Sequence, residues 1–146
     1  MAKQLLQIVA ILLIPLFTLA QSKVANYSFG EGGTPQYEHF SFWIKDKQRA
    51  DITYSYGAER KETVVTYLGK VTYKNQPGFK VQFVNHYLLY IIPKQNQLLV
   101  VGSSGKYNKM FSWEYEGPVN GIGTFCDVCT QDEREAMNVL KSAYVK

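Results

Sequence analysis

The only two cysteines of the chain stand three residues apart, in Cys126-Asp127-Val128-Cys129. That spacing admits three chemistries. In an oxidising compartment the pair closes a short disulfide that fixes local geometry more than global stability. Just before a helix start, the dipole lowers a thiol pKa, and the same pair becomes a redox dithiol with Cys129 as the activated sulfur. With His39 and His86 brought alongside, it becomes half of a zinc site. The disulfide is the reading we carry forward, with redox use of Cys126 and Cys129 as the alternative and no metal assigned.

Other chemistry-bearing residues give weaker patterns. Glu114 and Glu116 are two apart on a strand and share a face, as the paired carboxylates of a glycosidase do, but like charges also line ordinary solvent faces. Neither histidine sits in a Ser/His/acid context. The glycine-rich run Gly117 to Gly123 lacks the Lys-Ser/Thr of a phosphate loop and reads as a connection. No catalytic residue and no cofactor follows from these motifs.

The elements that must position these residues are mostly strands. The first twenty residues come off beforehand: Lys3 supplies a positive start, Leu5 to Leu19 an apolar run, and Thr18-Leu19-Ala20 small residues for cleavage after Ala20. This is the pattern of a secretory signal peptide, and it predicts a secreted or periplasmic protein. Residues 21–36 carry several glycines and little periodicity and read as a flexible lead-in, in which Val24, Tyr27 and Phe29 can form an edge strand. Residues 37–146 then form one β-rich domain.

From Tyr37 the period becomes two: Phe40, Phe42 and Ile44; Ile52, Tyr54 and Tyr56; Phe79, Val81 and Phe83; Phe111, Trp113 and Tyr115. Such alternation marks half-buried strands. Turn residues interrupt it at Asp46-Lys47-Gln48, Gly57 to Arg60, Leu68-Gly69-Lys70, Asn75 to Gly78, Asn85-His86, Lys94 to Gln97 and Gly102 to Gly105. About eight strands fit between Tyr37 and Glu116, with connections too short for crossover helices, so an antiparallel meander closes into a small barrel or folds into a sandwich. A helix over 131–144 follows. Thr130 and Glu133 form its capping box, and Met137, Leu140 and Tyr144 share its apolar face.

The meander followed by a helix resembles the calycin architecture of lipocalins and fatty-acid-binding proteins, although Phe42-Trp43 stands where lipocalins carry Gly-x-Trp. A second resemblance is local. Ser103-Ser104-Gly105-Lys106-Tyr107, then Trp113, then Gly117 are similar to the segment by which periplasmic C-type lysozyme inhibitors engage the enzyme's cleft. Tyr115-Glu116 takes the place of that family's lysine, and the cysteines are placed differently. The first resemblance implies an apolar ligand held by inward aromatics, for which Phe42, Tyr54, Phe83 and Trp113 are the candidates. The second implies contact with an extracellular or periplasmic protein through Ser104 and Tyr107.

The formal charge is +4, with Lys3 contributing one unit. Acidic and basic residues alternate along the chain, as on a solvated surface and unlike a nucleic-acid stripe. No further apolar run is long enough for a stable membrane span after cleavage. The expected role is therefore non-catalytic binding, of a small apolar ligand or a protein partner.

Overall fold

The computed structural model describes residues 22–115 and 126–146. The segment expected to be a signal peptide, the glycine-rich run and Glu116 lie outside these residues. Eight strands run β1 (Ser22–Phe29), β2 (Glu38–Lys45), β3 (Gln48–Tyr56), β4 (Lys61–Tyr73), β5 (Gln76–Gln82), β6 (Leu88–Lys94), β7 (Gln97–Gly102) and β8 (Asn108–Glu114). Each pairs antiparallel with the next, and β1 also pairs with β8, so the sheet is a closed barrel and not a sandwich.

Closure depends on the segment that reads as a lead-in. Seven strands lie between Tyr37 and Glu116, and β1 is the eighth. Its Val24, Ala25, Asn26 and Tyr27 are all buried. Ala25 and Tyr27 face the interior core. Val24 is covered from outside by the stretch after the first cysteine: its N–H donates to the Val128 carbonyl at 2.8 Å and its carbonyl accepts from Thr130 at 3.1 Å. A strand buried on both faces shows no alternation, which is why SKVANYSF reads so weakly.

Two expected turns differ. Leu68-Gly69-Lys70 is a bulge within the thirteen-residue β4, where the register with β5 shifts and Gly69 takes φ +125°. The β4–β5 connection is only Lys74-Asn75, both at positive φ, so Gln76, Pro77 and Gly78 already belong to β5. Asp46-Lys47, also both at positive φ, turns β2 into β3 in the same way. Two-residue turns of this hand match the twist of the flanking strands.

The helix α1 spans Glu133–Leu140 and continues as a π-helical turn over Lys141–Val145. Its cap lies two residues later than the Thr130 box. Asp132 accepts from the Glu135 N–H at 2.8 Å, and the Glu135 carboxylate accepts from the Gln131 N–H at 2.6 Å. The reciprocal logic is that of a capping box, moved to the stronger carboxylate cap. The expected apolar face holds: Ala136, Met137, Leu140 and Tyr144 are buried. They plug the end of the barrel where β2 turns into β3. Tyr144 lies 5.1 Å from Phe79, 5.6 Å from Phe42 and 5.7 Å from Tyr67, ring centre to ring centre. Phe40, Phe42, Phe79 and Phe111 continue this stack along the axis with no solvent exposure. Among the described residues no helix is long and apolar enough to cross a membrane.

Candidate functional site

The other end of the barrel is built differently. Tyr37-Glu38-His39 enters β2 there, and strand alternation sends Glu38 inward and its two neighbours outward. Glu38 is 8 % exposed, at the mouth of the barrel. Its Oε2 accepts from the Tyr54 hydroxyl at 2.8 Å and from the Tyr107 hydroxyl, and its Oε1 pairs with Lys109 Nζ. Tyr54 comes from β3, Tyr107 from the β7–β8 connection and Lys109 from β8. One carboxylate thus ties three parts of the rim together.

Buried carboxylates need this degree of pairing, since an uncompensated charge away from water is costly. Lys109 gains further from aromatic faces: its Nζ lies 4.7 Å from the Phe29 ring centre and 5.0 Å from that of Tyr107. Burial first, then the hydrogen bond to Glu38, raises both Tyr54 and Tyr107 far above the usual phenol range. Both hydroxyls therefore stay protonated and act only as donors to Glu38.

Around this network the rim is aromatic and partly open. Tyr54 meets Phe83 edge-on at 5.0 Å and stacks on Tyr56 at 6.0 Å. Tyr56, Val84 and Tyr87 are exposed large apolar side chains at this end, with Val84 at 80 %. Gly102 makes the packing possible, because a Cβ there would come within 2.4 Å of the Tyr87 hydroxyl and 3.0 Å of Tyr107 Cβ. The rim is thus a set of ordered side chains braced from beneath.

On the outer face of the same strand, Tyr37 donates to Glu114 Oε2 at 2.8 Å and stacks on His39 at 6.3 Å. His39 Nε2 stands 3.9 Å from Glu114 Oε2, too far for a hydrogen bond. His39 is 2 % exposed, and burial, helped by the nearby Arg60 charge, lowers its pKa to about 4. At neutral pH it is an uncharged imidazole.

The residues singled out by sequence fall in separate places. Phe42 is sealed in the stack below the mouth. Tyr54 and Phe83 meet at the mouth. Trp113 lies apart from them, its indole N–H donating to Thr130 at 3.1 Å. Ser104 is exposed in the β7–β8 connection, while Tyr107 beside it turns its hydroxyl down onto Glu38. Cys126 and Cys129 are joined in a disulfide with a Cα–Cα distance of 5.3 Å, which takes both sulfurs out of the zinc set proposed with His39 and His86. His86 sits in the β5–β6 turn with φ +64°. Cys129 is 2 % exposed and pairs against β1, so the sulfur expected to be activated is covered.

Glu38, Lys109 and His39 carry the polar organisation of this end; sequence reasoning passes over Glu38 and Lys109 and considers His39 only as a zinc ligand. Glu38 and Lys109 are 71 positions apart, so no local pattern joins them. The one available signal is parity: Glu38 continues the inward series of Phe40 and Phe42, and a charge on that series needs a partner. No family model matches the chain, and no curated protein or solved structure is significantly similar to it.

Proposed function

We propose that this is an exported, non-catalytic binding protein that recognises an extracellular or periplasmic protein through the aromatic rim of its barrel mouth. The observation that carries this reading is the exposure of Tyr56, Val84 and Tyr87 on a rim braced by the Glu38 network. Exposed apolar side chains grouped at one end of a small domain are unusual unless they are covered in use. Tyrosine suits such a surface, giving large contact area with a polar tip and little loss of rotamer freedom.

The packed interior supports a partner over an internal apolar ligand. Phe42, foremost among the rings expected to line a ligand chamber, lies against Phe40, Phe79 and Tyr144 of the π-helical turn. Cys129, the sulfur a redox role would activate, is buried against β1, which supports a structural role for the disulfide over thiol exchange. Export rests on the Lys3 to Ala20 pattern, and N-terminal sequencing of the mature protein should begin at Gln21.

The test is photo-crosslinking in the exporting cell, with a benzophenone amino acid placed singly at Tyr56, Val84 or Tyr87 and, as control, at Val64 on the outer side of β4. The reading predicts one discrete adduct shared by the three rim positions and absent from Val64. Adducts of equal yield from all four positions, or none from the rim, would reject it.

A further inference from the structure

Among the described residues, three buried polar atoms on one flank of the barrel find no hydrogen-bond partner: His39 Nε2, Ser55 Oγ and Arg60 Nη1. Buried polar groups are rarely left this way, and each such group asks what fills the gap. His39 and Ser55 are direct partners in the β2–β3 register, and both point to the outer face. Arg60 closes the β3–β4 turn, its guanidinium 5.7 Å from the ring of Tyr37, which in turn stacks on His39.

We propose that this flank binds a small carboxylate anion, with Arg60 supplying the charge and Ser55 and His39 supplying neutral donors. The unmet demand is for an acceptor. A guanidinium only donates, and no carboxylate among the described residues lies within the 4.0 Å of an ion pair with Arg60. Glu114, the nearest acid to His39, already accepts from Tyr37 and remains partly in solvent. His39 is uncharged beside Arg60, so its ring can present an N–H without adding a second buried cation.

Tyr37 and Arg60 are held in place by the chain's own contacts. Tyr37 is fixed at its hydroxyl by Glu114 and at its carbonyl by the Gly57 N–H at 2.8 Å. Arg60 donates its own N–H to the Gly57 carbonyl at 3.1 Å and takes φ +50°, a left-handed conformation that a non-glycine residue adopts at a cost. That turn aims the guanidinium back over Tyr37. A planar anion with two oxygens matches a guanidinium fork better than a spherical one does.

The experiment is an acetate titration of the exported protein, followed by the ring resonances of His39 and the side-chain resonances of Arg60, with chloride at equal ionic strength as control. Saturable shifts at both residues with acetate, and none with chloride, are expected. Arg60→Gln should weaken binding at least tenfold, and Ser55→Ala, which keeps the charge, several-fold. Shifts that stay linear in acetate, or that chloride reproduces, would overturn the proposal and leave ordered water as the partner of these three atoms.

Discussion

The two ends of the barrel solve opposite problems. At the plugged end, Met137 and Leu140 of α1 join the apolar core, and Tyr144 of the π-helical turn packs its ring against Phe42, Phe79 and Tyr67. At the mouth, a single carboxylate holds two phenols and an ammonium, and the apolar side chains face out. The first arrangement gains its stability from area removed from water and tolerates no gap. The second gains little net stability from its charges, because their desolvation offsets their attraction. What it gains is order in a rim that leans on the core only through the partly buried Phe29, Tyr54, Phe83 and Tyr107. The plugged end therefore holds the fold, which leaves the mouth for the recognition we propose.

The sharpest way to break that contrast is to truncate one ring at each end. Tyr144→Ala removes a fully buried ring in contact with three others and should cost about 3–5 kcal/mol in urea unfolding. Tyr56→Ala at the mouth, where the ring is 48 % exposed, should change stability by no more than about 0.5 kcal/mol. Comparable losses at the two positions would mean that the rim also carries the fold.

Acid tests the flank of the mouth. His39 has a folded pKa of about 4 against 6.5 in the unfolded chain, so between those values the unfolded state binds more protons. Stability is complete above about pH 6.5, falls as the pH drops toward 4, and the fall amounts to about 3 kcal/mol at most by linkage. Burial is the larger cause of the lowered pKa and the Arg60 charge the smaller, and both are contained in that fall. A His39→Gln variant should lose this part of the pH dependence, with unfolding followed at pH 7 and pH 4.5.

Glu38→Ala leaves Lys109 and two tyrosine hydroxyls without their acceptor and should cost about 2–3 kcal/mol. Adding Lys109→Met should recover part of that loss, since it removes the stranded ammonium. A double-mutant cycle read by thermal unfolding measures the coupling, and additive losses would show that the bridge does not organise the rim. The smallest structural effect belongs to the cysteines. Cys126→Ser with Cys129→Ser opens a very short loop and should cost about 2 kcal/mol or less, with the barrel retained in circular dichroism.

The same contrast explains what the sequence reveals. Side chains at alternating positions with one buried face are plain to read, and Phe40, Phe42, Phe79, Val81 and Phe111 all point inward as their period implies. The helix shows through its 3.6-residue stripe, and its cap is displaced only because Asp132 outcompetes Thr130. β1 reads as no more than a possible edge strand because it is buried on both faces, and with it goes the distinction between barrel and sandwich, which rests on one strand finding two partners. β4 looks broken because a bulge glycine imitates a turn. The mouth is the least legible region. Its organising contacts join Glu38 to residues 16, 69 and 71 positions away, and such pairings exist only once the barrel has closed.

The central claim is that the interior is occupied by the chain's own rings and that recognition is external. Native mass spectrometry of the exported protein, repeated after denaturation with and without reductant, tests it most directly. The account predicts a mass matching residues 21–146 less two hydrogens, with no adduct in the native spectrum. An apolar adduct released on denaturation would contradict it, and would return the binding site to the inside of the barrel.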